Sequence, residues 1–227
     1  ISQRKFLIKE KVVSLNKSTV IHKGSVGGVD TKKFIFNKKK RNQMRNNYLI
    51  PNDTFIFLYL GRINKEKGII ELIKAFKKIE KNKKVLLIFV GAIEDKEIIY
   101  HFKNNKKILN FKYTKNPQDW FSMADILCLP SYREGFGTVV IEAGSSGIPS
   151  LCSKIYGLYD AIIENKTGFF HKSRSIDDIK NKMLYVIKNK KLTKEYGKMA
   201  RKRVIQDFEQ SLVSKKFLKF INLHINR

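Results

Sequence analysis

Short uninterrupted hydrophobic runs recur along the middle of the chain and alternate with amphipathic segments. Continuous runs of this kind are typical of parallel strands that are buried on both faces. Strands are predicted at FIFLYLG (55–61), KVLLIFVG (84–91), 106–112, 125–131 and 148–153. Between the first two runs, a helix that buries one face is indicated by the spacing of Ile69, Leu72, Ile73 and Phe76.

Helical segments fill the intervals between these runs. The segment 116–124 opens with Asn-Pro, which suits the first turn of a helix, and 175–189 is amphipathic with Ser175 as its N-cap. Further helices are predicted within 37–53, at about 94–104, at 137–146, at 191–207 and at 209–224. Alternating strands and helices imply a parallel sheet with right-handed crossovers. We therefore predict an α/β fold with a doubly wound, Rossmann-like sheet, whose ligand binds at the carboxyl ends of the strands.

The net charge of +27 widens the range of partners to be considered. A charge of this sign favours nucleic acid, an anionic membrane surface or a phosphorylated ligand. The lysines are spread along the chain rather than collected in one tail, and Lys, Asn and Ile are abundant together. A bias in overall composition therefore explains the charge as well as a function does.

The cysteines and histidines give no sign of a metal site. Cys128 and Cys152 each lie in an apolar run, where a cysteine usually acts as a small buried hydrophobic residue. The four histidines are scattered and lack the spacing of metal ligands. We expect neither a disulfide nor a bound metal.

The segment GRINKEKG, residues 61–68, lies between a predicted strand and a predicted helix. Gly61 ends the strand, and Gly68 allows the helix to begin in close packing. Arg62 and Lys67 are thereby placed at the carboxyl edge of the sheet, where two cations could clamp a diphosphate. The alternative is a solvated run of charges without a specific ligand.

The segment SYREGFGTVVIEAG, residues 131–144, combines a glycine turn with a helix start. Gly135 and Gly137 flank Phe136, and the backbone N–H groups that begin a helix attract phosphate. Thr138 could cap the helix or donate its hydroxyl group to the same ligand. This turn is therefore a second candidate for binding an anion.

Two glutamates eight positions apart flank the glycine turn. Glu142 lies among apolar residues, and a half-buried carboxylate needs a partner such as the diol of a ribose. In the alternative interpretation, Glu142 pairs with a nearby lysine and Glu134 pairs with Arg133. A hydrolase with paired carboxylates is a further rival, but a phosphate-type turn between the acids, together with the basic residues of the neighbouring motif, fits an anionic donor better.

With these motifs in view, the chain resembles the family-4 retaining glycosyltransferases of GT-B fold. The resemblance is carried by GRINKEKG, by the E-x7-E pair Glu134 and Glu142, and by ADILCLPSYREGFGTVVIEAGSSGIP (124–149), and it covers nearly the whole chain. GSVGGVD, GLYDAI and NKTGFF, which begin at residues 24, 157 and 165, match further landmarks in the expected order. The fold implied is the C-terminal, nucleotide-sugar-binding half of two facing Rossmann-like domains.

The resemblance also implies a role for each site residue. Arg62 and Lys67 would contact the diphosphate, Glu134 would hold the donor sugar, and Glu142 would bind the ribose. Tyr113, where relatives often have glycine, stands near the base. Catalysis is thereby assigned to Arg62, Lys67 and Glu134. Donor binding is assigned to Gly61, Arg62, Lys67, Tyr113, Glu134, Gly135, Phe136, Gly137, Thr138, Val139 and Glu142.

From the same resemblance we expect three parts of the chain and a metal-independent reaction. Residues 1–30 would connect to a missing N-terminal domain, 31–208 would bind the nucleotide sugar, and 209–227 would form a helix that crosses back to that domain. Fixed cations and helix amides would stabilise the leaving diphosphate. This fragment alone would bind donor nucleotide but transfer slowly or not at all.

The function implied is transfer of a hexosyl or N-acetylhexosaminyl group, with retention, from a UDP-sugar. The acceptor would be a glycan or a lipid-linked molecule in bacterial surface polysaccharide or lipopolysaccharide synthesis. We expect a cytoplasmic protein that binds peripherally to an anionic membrane surface. The alternative is a non-catalytic basic module that binds nucleic acid, although the sequence lacks the usual signatures of one.

Overall fold

The computed structural model of the chain describes residues 1–81, 83–102 and 105–225. Within these residues, six parallel strands form one sheet in the order β3-β2-β1-β4-β5-β6. The strands are β1 (Phe55–Leu60), β2 (Val85–Val90), β3 (Ile108–Phe111), β4 (Ile126–Leu129), β5 (Ser150–Ser153) and β6 (Gly168–His171). This order confirms the doubly wound, Rossmann-like prediction.

Nine helices accompany the sheet in the described residues. They are α1 (Ser2–Lys9), α2 (Lys38–Asn47), α3 (Ile69–Lys77), α4 (Ile98–Phe102), α5 (Pro117–Met123), α6 (Thr138–Ser145), α7 (Ile176–Lys188), α8 (Lys190–Asp207) and α9 (Gln210–Ile225), with a 3-10 turn at Lys65–Lys67. Helices α3, α4 and α7 form one packed group, and α2, α5, α6 and α8 form another. None of the nine is both long and apolar enough to cross a bilayer.

The core lies between these two groups of helices. The side chains of Ile56, Phe57, Leu58 and Tyr59 in β1 have no exposed surface. One face of α3 is buried too, through Leu72, Ile73 and Phe76. The hydrophobic run in β1 is uninterrupted because both faces of the strand are buried. The apolar residues of α3 recur at helical spacing because only one face of the helix is buried.

The predicted elements are present, and two further elements were missed. All five predicted strands fall within their predicted ranges, and the predicted helices are present, although residues 103, 104 and 226–227 lie outside the described part. Helix α1 and strand β6 were not predicted. Strand β6 has only four residues, and Gly168 lets it approach β5 closely, because a Cβ atom there would lie 2.4 Å from the carbonyl oxygen of Ser150.

The strand order reverses at β1. The chain moves outward from β1 through β2 to β3, then returns to the other side of β1 as β4. The loops after β1 and β4 therefore leave the carboxyl edge in opposite directions and open a crevice between them, which is where ligands bind in such sheets.

The segment before α2 meets the junction of α8 and α9 on one side of the domain. The backbone of Val29 pairs with Glu209, and its N–H donates to the carbonyl oxygen of Phe208 at 2.8 Å. Gly28 has a φ of 63°, and a Cβ atom there would lie 2.7 Å from the same oxygen. The segment before α2 is thereby packed against the start of α9.

Candidate functional site

Two loops meet at the reversal point. We call residues 61–68 the β1 loop and residues 130–137 the β4 loop. Gly68 has a φ of 66°, and a Cβ atom at this position would lie 2.2 Å from the carbonyl oxygen of Pro130. The Tyr132 N–H donates to the carbonyl oxygen of Glu66 at 2.9 Å, and Arg133 pairs with the Glu66 carboxylate at 2.6 Å. Only glycine at position 68 permits this approach.

A lysine from the β1 loop and a glutamate from the β4 loop form the centre of the site. Lys67 Nζ lies 2.7 Å from Glu134 Oε1, and the Ser131 hydroxyl donates to that same oxygen at 2.7 Å. Both charged side chains are mostly buried, at 18% and 15% exposure. Oε2 of Glu134 has no hydrogen-bond partner in the part of the chain that the structure describes.

This arrangement corrects the alternative interpretation of Glu134. Arg133 pairs with Glu66 instead, so Glu134 and Arg133 do not neutralise each other. Ser131 was not singled out in the sequence. Its position directly after Pro130, at the end of a buried strand, was the available signal, because such residues lie at the carboxyl edge.

Arg62 contacts the loop after β2. Its Nη1 atom lies 3.3 Å from Glu94 Oε1, and Asn64 donates to Glu94 Oε2 at 2.7 Å. The Arg62 side chain is 67% exposed, and an ion pair so open to water has little strength. The structure therefore brings Lys67 and Glu134 together but leaves Arg62 on a separate, easily broken pair.

The glycine turn leads into α6 without a side-chain cap. Gly137 is the N-cap residue with a φ of 72°, and a Cβ atom there would lie 2.5 Å from Leu158 Cδ2. The first turn of α6 contains no acidic residue. Thr138 is exposed and makes no capping bond, so its predicted capping role is not observed. The N–H groups of Thr138 and Val139 therefore begin a helix that no side chain neutralises.

The two residues before Gly137 shape the turn. Gly135 is exposed, whereas the Phe136 ring packs edge-on against Phe208 at a centroid distance of 5.4 Å. The loop after β5 packs closely against this turn, since a Cβ atom at Gly157 would lie 2.2 Å from the carbonyl oxygen of Glu134. The β4 loop is thus in contact with the β1 loop, with Phe208 and with the loop after β5.

Glu142 lies in α6 as a half-buried carboxylate. Its carboxylate makes no ion pair or hydrogen bond with any described residue, so the alternative pairing with a lysine is not observed. Burial raises the pKa of this carboxyl, and the positive charge of Lys33 partly opposes the rise. A half-buried carboxylate without a partner among the described residues is costly, because burial disfavours its charged form.

The remaining predicted residues lie at the rim or in the core. Gly61 follows β1, and its N–H donates to the carbonyl oxygen of Val90 at 3.0 Å. Tyr113 follows the edge strand β3 and is 74% exposed. Cys128 and Cys152 are buried, and burial raises the pKa of both thiols. No group of three or more potential metal ligands occurs among residues 1–81, 83–102 and 105–225.

The sheet order and the surrounding helices define a domain of the doubly wound α/β class. The family model for glycosyl transferases group 1 matches residues 40–203. The chain belongs to this family. The capsular polysaccharide biosynthesis glycosyltransferase CapM of Staphylococcus aureus is 31% identical over 213 residues, which are 91% of this chain and 56% of CapM.

Solved structures share the fold. HepE of Anabaena, in complex with UDP and glucose, matches with a TM-score of 0.87 at 17% identity, over 96% of this chain and 60% of that protein. The C-terminal domain of LpcC, a group 1 family protein from Francisella tularensis, matches with a TM-score of 0.69 at 21% identity. That match covers 80% of this chain and 99% of that domain. The chain spans about half the length of the first curated relatives that it matches.

Proposed function

We propose that this chain is the donor-binding half of a retaining glycosyltransferase. The enzyme transfers a sugar from a nucleoside diphosphate sugar to a glycan or a lipid-linked acceptor in bacterial surface polysaccharide synthesis. The observation that carries the proposal is the Lys67–Glu134 pair at the reversal point of the sheet, beside the uncapped start of α6.

The proposed roles follow from the charges on each side of the crevice. The diphosphate lies between Lys67 and the N–H groups of Thr138 and Val139, and Arg62 leaves Glu94 to join it. These groups stabilise the charge that builds on the leaving oxygen as the sugar departs, so the reaction needs no metal. The acceptor attacks the face from which the diphosphate leaves, and the configuration is retained.

The two carboxylates are proposed to recognise hydroxyl groups. Oε1 of Glu134 is occupied by Lys67 and Ser131, so Oε2 is the oxygen that accepts from the donor sugar. Glu142 accepts from the ribose diol, and this contact gives its unpaired carboxylate the partner that the protein does not supply. Tyr113 is assigned to the base by resemblance alone.

The nucleotide is proposed to be UDP, and the product a capsular or cell-wall glycan. HepE was solved with UDP and glucose. CapM is named for capsular polysaccharide biosynthesis. The donor sugar is a hexose or an N-acetylhexosamine, and the isolated chain binds the donor while the acceptor is held by the rest of the enzyme.

Calorimetric titration with UDP, GDP and a random oligonucleotide tests the proposal. UDP should bind to the unmodified chain. Lys67→Met should weaken binding roughly ten- to a hundredfold, because a hydrogen bond to a charged group contributes about 1.5–3 kcal/mol. Lys65→Met is the matched control, since Lys65 lies in the same turn but is exposed and pairs with Glu97.

The outcomes separate the two hypotheses. Equal effects of the two lysine variants would refute the assigned role of Lys67. Salt-sensitive binding of the oligonucleotide without any binding of UDP or GDP would instead support the nucleic-acid module. Circular dichroism of both variants checks that the fold is retained.

A further inference from the structure

Two cavities open at the amino edge of the sheet, at the opposite ends of the strands from the β1 and β4 loops. The first has a volume of about 450 Å³ and is walled by Phe55, Ile148, Pro149 and α8. The second has a volume of about 420 Å³ and lies beside the starts of β2 and β3. They flank the beginning of β1, and we call the residues that line them the amino-edge face.

The amino-edge face is strongly and unevenly charged. Nine basic residues and one acidic residue line the two cavities. The one acid, Asp125, is already bound to Arg41 at 2.8 Å and to Arg45 at 3.1 Å. The basic residues are Arg41, Lys83, Lys84, Lys106, Lys107, Lys190, Lys194, Lys198 and Arg201. Lys84 is also paired, with Asp53 at 2.5 Å, but the remaining basic residues still leave a large excess of positive charge on this face.

Three of these lysines form a row on α8. Lys190, Lys194 and Lys198 are four residues apart, so they share one side of the helix. Lys190 and Lys194 make no ion pair with any described residue, and Lys198 pairs only with the exposed Glu195, at 3.1 Å. The row is exposed along the first cavity and available to an external anion.

Exposed hydrophobic side chains stand among the charges. Phe36 lines the first cavity and is 46% exposed, and Leu49 lines the second and is 90% exposed. Ile35, next to Phe36, is 46% exposed. Basic residues interspersed with exposed aliphatic and aromatic residues match an anionic lipid surface, which offers phosphates and hydrocarbon at neighbouring depths. A nucleic-acid backbone would neutralise the lysines but leave Leu49 and Ile35 in water.

We propose that the amino-edge face docks on an anionic lipid bilayer. Lipid phosphates lie along the α8 lysines and beside Lys83 and Lys106, and Phe36 and Leu49 enter the headgroup region. Docking is reversible, because it combines surface charge with only a few apolar side chains.

Sedimentation with lipid vesicles tests the docking face. At low salt the chain should bind vesicles of phosphatidylglycerol mixed with phosphatidylcholine, and not vesicles of phosphatidylcholine alone. The triple variant K190Q/K194Q/K198Q should lose roughly a hundredfold in vesicle affinity, since each lysine near an anionic surface contributes about fivefold. The double variant F36S/L49S should lose binding most clearly at high salt, where the apolar contacts carry more of the affinity.

A control of equal charge separates this face from the net charge of the protein. The triple variant K215Q/K216Q/K219Q changes three exposed lysines on α9, where Phe217 shares a cavity with Gly135 and Phe136 near the β4 loop. It should keep nearly all of the vesicle affinity. Equal losses in the two triple variants would overturn the proposal, and so would equal binding to neutral vesicles.

UDP binding tests whether the variants are folded, and competition by an oligonucleotide tests whether the face prefers lipid. All variants should still bind UDP, because the β1 and β4 loops lie at the other edge of the sheet. Retained UDP binding then shows that the variants are folded. A random oligonucleotide should not displace the chain from anionic vesicles at equal phosphate concentration. Displacement of the unmodified chain, together with direct oligonucleotide binding that K190Q/K194Q/K198Q loses and K215Q/K216Q/K219Q keeps, would assign the face to nucleic acid instead and overturn the lipid proposal.

Discussion

At the residue scale, Glu142 illustrates the cost of a half-buried carboxylate. Its half-buried carboxylate has no partner among the described residues, and burial raises its pKa. Between the ordinary pKa of 4.5 and the raised value, the folded chain holds more of this proton than the unfolded chain. The contribution of this carboxyl to the free energy of unfolding therefore falls as the pH rises through that interval, and it stays low at neutral pH.

Glu142→Gln should therefore stabilise the protein while weakening its binding of nucleotide. We expect the melting temperature at pH 7 to rise by about 2–4 °C for a gain of about 1 kcal/mol, and the gain to disappear below pH 4.5. UDP affinity should fall about tenfold through loss of charged hydrogen bonds. Calorimetry measures both effects, and Glu195→Gln, in an exposed ion pair on α8, is the control that should change neither.

A lower melting temperature of Glu142→Gln at pH 7 would show that Glu142 has a structural partner. That result would contradict the proposed role of Glu142 in nucleotide binding. A rise in melting temperature without any loss of UDP affinity would remove the ribose assignment alone.

At the scale of elements, the junction of the β1 and β4 loops depends on Gly68. Gly68→Ala should destabilise the protein more than Gly147→Ala, although both glycines have positive φ, at 66° and 72°. Alanine at 147 meets no atom within 4 Å, so only the backbone cost of about 1–2 kcal/mol applies. Alanine at 68 also displaces the Pro130 carbonyl. Urea unfolding should separate the two variants by more than 1 kcal/mol, and UDP binding should be lost only in the first. Equal destabilisation of the two variants would show that the contact between position 68 and the Pro130 carbonyl can relax without cost.

Most of the elements could be predicted because single stretches of sequence determine them. The strand runs and the α3 periodicity depend only on neighbouring residues. Arg45 could not be predicted in the same way, since it lies in a polar segment and yet is fully buried. It donates to carbonyl oxygens of Pro51, Asn52, Thr54 and Met123. Met123 is 78 positions away, and only the assembled fold brings its carbonyl to the guanidinium.

The candidate site was predictable to a similar extent. Strand ends, glycines and helix starts indicate which loops reach the carboxyl edge, so the loops that carry Lys67 and Glu134 could both be placed there. The sequence could not show that Ser131 and Lys67 share one oxygen of Glu134, or that Arg62 turns to Glu94. Side-chain direction in these loops depends on contacts between distant segments.

At the scale of the whole molecule, a nucleotide would connect two parts of the sheet that share a short border. Strands β1 and β2 are aligned over six residue pairs, but β1 and β4 over two. UDP should therefore slow amide hydrogen exchange more at Tyr132 than at Asp125. The Tyr132 N–H bonds across from the β4 loop to the β1 loop, whereas the Asp125 N–H donates to Ile56 at the other end of the border. Mass spectrometry measures both amides, and equal slowing would indicate only global stabilisation.

The short border between β1 and β4 also bears on how donor preference could be changed. The cations of the β1 loop come from the chain before residue 111, and the carboxylates of the β4 loop and α6 come from the chain after residue 117. Each set is carried by its own group of consecutive strands. Under the proposed roles, a chimera joined within 112–116 would exchange the carboxylates assigned to the sugar and the ribose while keeping Arg62 and Lys67, so we expect recombination in this segment to change the preferred donor.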